Sequence, residues 1–354
     1  MHDFIRIFIL LILLALLKTV AYAQRTDIDQ IVPFDPRSRE VYLDNYGRSI
    51  TEAIGTGLGG AWTSSAKAHN TGGFEVKFIL NNVYIPKNER MFDFDSAQYV
   101  GLTVNGKTSA SLPTITGNNP IPGQDSITFY RQVQNRTDIT IDPASGIVGV
   151  PHGIDLKGVN GGNFYAMPLI QGSVGVLPNT DILFRFTPNI GNKAIRTISY
   201  GGGFKLSTSN WFGTGEGALP VDIATVLAFS YGKVQMGIEQ SQNTKYEDDP
   251  LLQVDSWTIT AQLLASKEFS FIEVFALVGY DNYKSDLTMK GLYNYTLNGL
   301  EYTEQDPVSV GYNKGSVRGN VGFNINVSVV SFGFSYSLQA YQSMHFSLGI
   351  NHIR

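Results

Sequence analysis

Chemistry would be sought first at the five histidines, and their positions offer little of it. His2 lies in the leader, His69 in a turn and His152 beside Pro151. His345 and His352 are an odd number of residues apart, so on one strand they face opposite sides and cannot share a metal. There is no cysteine, which excludes disulfides, thiolate metal sites, a cysteine nucleophile and a lipidated N-terminal cysteine. Neither H-E-x-x-H nor G-x-S-x-G occurs. A lipase built into a membrane wall would need serine and histidine together on the lipid face, whereas alternation turns His345 inward between Met344 and Phe346. Gly201-Gly202-Gly203 lacks the helix and Lys-Ser/Thr that a phosphate cradle needs, and reads as a kink or close approach inside a strand. No catalytic residue, metal or cofactor is predicted, and the chain is read as a non-enzyme. A net charge of -4 with a pI near 5.7 gives no footprint for nucleic acid.

The elements that would carry functional side chains are strands. Charged residues are 16% of the chain, and there are 18 Tyr, 21 Phe and 37 Gly. Such a balance suits a surface apolar outside and polar inside. Strict alternation recurs: Trp257, Ile259, Ala261 and Leu263 oppose Ser256, Thr258, Thr260 and Gln262, and Phe332, Phe334, Tyr336 and Leu338 oppose Ser331, Ser335, Ser337 and Gln339. The polar faces carry Ser, Thr, Asn and Gln with few Lys or Glu, as a crowded interior would, where a soluble sandwich would show more charge. Tyr84, Tyr231, Trp257, Tyr280, Tyr283, Tyr336 and Tyr341 fall near strand ends, as interfacial girdles do. The expected fold is all-β, an antiparallel up-and-down transmembrane barrel of about 14 strands, longer than the bilayer requires.

At the N-terminus, Arg6 precedes an apolar run from Ile7 to Leu17, and Ala21-Tyr22-Ala23 supplies a small-x-small cleavage pattern. Residues 1–23 are therefore expected to be a signal peptide, 24–53 a helical segment and 54–354 the barrel. Export and the absence of apolar helices together imply the outer membrane, with its lipid as a partner. Asp35 as N-cap and Pro36 at the first helical position start a helix over 37–50, with Tyr42, Tyr46 and Ile50 on one face. That segment is either a leader facing the periplasm or a plug whose aromatic face meets the inner wall.

The candidate lumen charges are Glu75, Lys77, Arg185, Asp222, Glu273 and Arg318, expected to pair with each other or with the plug. Phe271, Phe275 and Leu277 share a face with Glu273, an inward apolar patch for cargo or for packing the plug. Pro168 and Pro188 interrupt strands and cannot donate ladder bonds, which places them at a rim or at a lateral break in the wall.

The run from Gly57 to His69, then Gly72-Gly73-Phe74-Glu75-Val76, resembles the first hairpin of an uncharacterised bacteroidete outer-membrane family. So do residues Val174 to Asp181, Arg185 to Pro188 and Leu219 to Asp222. That family is similar to the outer-membrane long-chain fatty acid transporters. The resemblance implies a 14-stranded barrel, an N-terminal hatch and lateral passage of small hydrophobic ligands. The strand from Met344 to Ile350 resembles the signal read by the barrel-assembly machinery, a further expected partner, although the chain ends on Asn351-His352-Ile353-Arg354. The Asn-Pro-Ala of the transporters' hatch is absent from the expected mature N-terminus. A non-transporting structural or interaction barrel is the competing reading.

Overall fold

The computed structural model describes residues 26–117, 119–134, 141–154, 156, 162–191, 195–208, 220–238 and 250–352. The signal peptide expected over 1–23 lies outside the described residues.

After a 3-10 turn at Ile28–Ile31, helix α1 covers Pro36–Gly59, with Asp35 Oδ1 accepting from Arg37 N at 3.0 Å. The strands follow: β1 (Phe74–Tyr84), β2 (Met91–Asp95), β3 (Leu102–Val104), β4 (Ser109–Pro113), β5 (Ser126–Gln134), β6 (Ile141–Gly149), β7 (Phe164–Leu177), β8 (Thr180–Gly191), β9 (Ile195–Ser207), β10 (Asp222–Gly237), β11 (Leu251–Phe269), β12 (Ile272–Lys290), β13 (Leu292–Leu297), β14 (Leu300–Gln305), β15 (Val308–Val327), β16 (Val330–Leu338) and β17 (Ser343–His352).

Ten strands close a barrel in the order β1-β17-β16-β15-β12-β11-β10-β9-β8-β7, every pair antiparallel. The expected 14 are thus corrected to ten among the described residues. Two things account for it. Strands β11 and β12 have 19 residues each and β15 has 20, so fewer strands consume the same length. The stretch between β1 and β7 leaves the wall altogether, folding into the sheets β2-β4 and β3-β5-β6, while β13-β14 forms a separate hairpin. These insertions stand at one end, the crown end. The opposite turn end carries the paired barrel termini, Phe74 opposite His352, and tight turns at residues 178–179, 270–271 and 328–329. Asn179, Ser270 and Ser328 take positive φ there, as two-residue hairpins demand.

Outward-facing side chains form an apolar belt: Phe184, Phe229, Ile259 and Val278 (the last two 61% exposed), Val321, Phe332 and Phe346. A continuous apolar surface of this kind needs a covering medium. Tyr200, Tyr231 and Trp257 stack side by side on neighbouring strands, ring centroids 5.0 and 4.4 Å apart. Tyr283 and Tyr341, expected in the girdle, are instead buried. The pleat sets Tyr283 on the inward face of β12, in step with Asp281 and Ser285.

Candidate functional site

A ten-stranded barrel is little wider than the eight-stranded kind that side chains alone can fill. An α-helix with side chains is about 10–12 Å across. Fitting α1 inside demands that its backbone touch the wall, and its glycines allow that. A Cβ on Gly55 would lie 2.5 Å from the Tyr283 ring, and one on Gly59 2.7 Å from the Asp281 carboxylate. Gly47 meets Leu287 on the same strand. These glycines are eight and four residues apart, one helical face laid along β12. The helix therefore runs nine residues beyond the expected end at Ile50. The lumenal segment likewise continues to Gly73, so of the first hairpin expected over 57–76 only the second arm, the start of β1, is a strand.

At the crown end the helix is held by apolar burial. Tyr42 packs on Phe34 and Phe92, centroids 6.1 and 5.5 Å apart, and Tyr46 donates to His152 O at 2.6 Å. Tyr42, Tyr46 and Ile50 are buried, and the ring and hydrogen-bond partners of the two tyrosines lie in the inserted crown (Phe92, His152) and the N-terminal segment (Phe34, Thr26), where the first half of α1 projects. Just inside the mouth the wall is apolar: Val83, Met167, Leu169, Val234, Met236, Leu252, Val254 and Leu287 are all buried in the same core.

Mid-barrel the character changes, because the last carbonyls of a helix have no intrahelical partner. Here wall side chains supply donors. Gly55 O accepts from Thr258 (3.3 Å), Thr56 O from Arg318 (3.3 Å), Gly57 O from Asn81 (2.8 Å), Leu58 O from Ser230 (3.0 Å) and Arg185, Gly59 O from Arg318 (2.8 Å) and Gly60 O from Arg185 (2.7 Å). Two guanidiniums at a helix C-terminus also complement its negative end. Arg318 pairs with Asp281, and Arg185 lies 3.7 Å over the Trp62 ring.

Below this the chain runs extended toward the turn end and is gripped again. Gln171 donates to Trp62 O (3.0 Å), Asn324 to Ser64 O (2.7 Å) and Lys205 to Lys67 O (2.7 Å). Asp181 receives His69 N (2.9 Å) and ion-pairs with Lys205 (2.8 Å). Glu273 accepts from Ser65 Oγ at 2.6 Å, and Lys77 bridges Glu75 (2.8 Å) and Ser64 (3.1 Å).

Of the sequence-derived lumen charges, Glu75, Lys77, Arg185, Glu273 and Arg318 are therefore gathered around the threaded segment. Asp222 stands half-buried at the start of β10, opposite Ser266, with no hydrogen bond or ion pair to that segment among the described residues. Phe275 and Leu277 pack with Ala66, Ala224 and Leu264. Phe271 is separated from them, 54% exposed in the β11–β12 turn. The face it was expected to share ends where the hairpin reverses. Asp181, Lys205 and Asp281 are not among the expected lumen charges, although Lys205 and Asp281 lie on inward positions of their alternating strands, and His69, expected in a turn, is buried against Asp181. His345 faces inward with Ser343 Oγ 2.9 Å from Nε2, and its Nδ1 has no hydrogen-bond partner among the described residues.

Two cavities of the lumen measure about 30 Å³ (around Thr63, Lys77 and His345) and 20 Å³ (around Trp62 and His69). Each has room for about one water.

The wall has one break in its pairing among the described residues where both strands run on. β7 and β8 pair from Leu177↔Thr180 only as far as Ile170↔Phe186. Beyond that, residues 164–169 of β7 pair with β1, and Thr187, Ile190 and Gly191 of β8 pair with β9 around a bulge at 188–189, not with β7. Pro168 and Pro188 flank the break, and Thr187 Oγ1 donates across it to Pro168 O at 2.6 Å. Tyr165, Met167 and Leu169 line its inner side, with Met167 against α1 at Gly57.

No curated protein matches the sequence. Among solved structures the chain is similar to the outer membrane protein OprG from Pseudomonas aeruginosa, at 10% identity over 81% of this chain and 99% of that one, TM-score 0.30. It is also similar to the translocator domain of autotransporter NalP from Neisseria meningitidis, at 11% identity over 92% and 99%, TM-score 0.30. A third likeness is to Ail, the attachment invasion locus protein of Yersinia pestis, at 8% identity over 80% and 98%, TM-score 0.22. Likenesses so slight carry no weight for function. A family model described as Family of unknown function (DUF6588) matches residues 1–352, and the chain belongs to that family.

Proposed function

We propose that this chain is an outer-membrane β-barrel that passes small hydrophobic molecules from the crown end sideways into the membrane, with α1 as its hatch. The observation that carries the reading is the unpaired β7–β8 seam, which opens onto the apolar tier of the lumen. Exposed backbone at a lipid-facing break is costly unless protein or a polar group covers it. Pro168 and Pro188 lessen that cost, since neither has an N–H to leave unpaired. The apolar belt supports placement in a membrane, and the sequence resembles a family that is itself similar to the outer-membrane long-chain fatty acid transporters.

With no native cysteine, the seam can be locked cleanly. A Pro168→Cys/Pro188→Cys chain treated with a bifunctional thiol reagent should lose uptake of a fluorescent long-chain fatty acid by whole cells. Each single-cysteine chain treated likewise should keep it. Equal uptake by the locked and unlocked double variant sinks the lateral route.

A second reading, a sealed barrel that only displays its crown, is favoured by water-sized cavities. It predicts no uptake, and no planar-bilayer conductance with or without residues 24–50.

A further inference from the structure

A cavity roomier than either lumenal one lies on the outer wall. It is a groove of about 210 Å³ at the crown end of β1, β7, β16 and β17, lined by Asn82, Tyr84, Phe164, Tyr336, Gln342 and Met344. An engineered apolar cavity of about 150 Å³ binds benzene, so this space suits a length of hydrocarbon chain.

Its chemistry is unlike that of the belt below. Asn82 alternates with inward Asn81 and Val83, so its amide points outward among Met344, Ala166 and the rings, in register with the first two. That amide has no protein partner among the described residues. An amide with no protein partner on the outer wall keeps its donors free for a ligand. Tyr84 and Phe164 pack edge to face at 5.7 Å to form one side. Tyr336 donates to Gln342 Oε1 at 2.7 Å, leaving the Gln342 Nε2 as a second donor at the rim.

Above Tyr84 sits Arg90, its guanidinium 5.8 Å from the ring centroid and Nη2 donating to Tyr84 OH at 3.2 Å. Its other hydrogen bond is to Ile85 O (3.3 Å), and no carboxylate neutralises it among the described residues. The groove thus has an apolar floor continuous with the belt, two amide donors and an uncompensated cation at the edge nearest the crown. Aromatic rings collect at this depth because the headgroup region lies there.

We infer that this groove is a binding site for an anionic membrane lipid, its acyl chain along Met344 and Phe164, its headgroup on Asn82, Gln342 and Arg90. The inference rests on the barrel lying in a membrane, but not on any passage through it.

The test is native mass spectrometry of the full chain after equilibration with vesicles of equimolar phosphatidylglycerol and phosphatidylcholine. The folded state is checked by heat-modifiable gel mobility. A retained lipid should be phosphatidylglycerol over phosphatidylcholine by about fivefold, the factor one basic side chain near an anionic lipid supplies. Arg90→Gln should bring that ratio to unity and Arg90→Lys should keep it. Asn82→Leu should lower retention without changing the ratio. A wild-type ratio of unity, or one that survives Arg90→Gln, overturns the site and leaves the transport reading standing. Retention of neither lipid overturns the site likewise.

Discussion

The two halves of the lumen hold the same chain by different physics. Toward the crown, α1 is kept chiefly by burial of Tyr42, Tyr46, Ile50 and Ile54 among aliphatic and aromatic neighbours, beside a few polar contacts such as Arg39 on Glu304. From Gly55 onward it is kept by directed hydrogen bonds to its carbonyls from five strands of the wall. Apolar burial is non-directional and tolerates sliding or exchange for another apolar body. A buried guanidinium on two carbonyls and a carboxylate does not, because each lost partner leaves a charge unsatisfied. The unpaired seam lies beside the tolerant half. A hatch built this way can loosen at its crown half while its foot stays fixed.

The hardest way to break the contrast is to attack the foot. Arg318→Met strands the Asp281 carboxylate and frees the carbonyls of Thr56 and Gly59. Losing one partner of a buried pair costs about 3–5 kcal/mol. Urea unfolding of the refolded barrel should show a loss of that order, and Arg318→Met/Asp281→Asn should recover part of it. An unchanged midpoint for the single variant would mean that the foot is not what secures the plug.

The glycine face comes next. On an exposed helix, Gly→Ala stabilises by about 1 kcal/mol. At Gly55 the added Cβ would press on the Tyr283 ring, which lies 2.5 Å away, and overpacking costs about 1–3 kcal/mol. Gly55→Ala should therefore destabilise in the same unfolding assay, and Tyr283→Leu in that background should relieve it. A stabilised Gly55→Ala would place the helix farther from β12 than described.

Much of the wall was legible, and the reason the plug's grip was not is physical. Alternation around Ile259 and Thr260, or Phe334 and Ser335, is printed in residue types, and so is the inward placement of Arg185 and Arg318. What those arginines bind is not. Their targets are main-chain carbonyls, which every residue carries and no residue type announces. Strand count failed for a related reason, since a 19-residue strand such as β11 has the same period as two short ones, and only a turn would separate them. The spacing of Gly47, Gly55 and Gly59 was an available signal for close helix–wall approach, hidden because glycine equally marks a helix end.

The smallest effect should appear at the crown. Glu304, on β14, takes a bidentate grip on the buried Arg39 of α1 and a hydrogen bond from Tyr295. Partial burial alone would raise its pKa, but the hydrogen bonds from Arg39 and Tyr295 outweigh that and hold it below the usual glutamate value. A carboxylate depressed on folding contributes stability that is fully present above the unfolded value and lost as pH falls through the folded one. The crown contact should therefore be intact at neutral pH and weaken only in acid, below the ordinary glutamate range. Because Glu304 is about a third exposed, solvent screening limits its worth to about 1 kcal/mol or less. Limited proteolysis of the crown between pH 7 and pH 3 should show cleavage rising as the carboxylate protonates, while Glu304→Gln should show the raised cleavage already at pH 7 and a flatter pH response. The foot, probed by urea unfolding at pH 7, should be untouched by that variant. If Glu304→Gln shifted the unfolding midpoint as far as Arg318→Met, the two halves would be one cooperative unit, and the hatch could not loosen at one end alone.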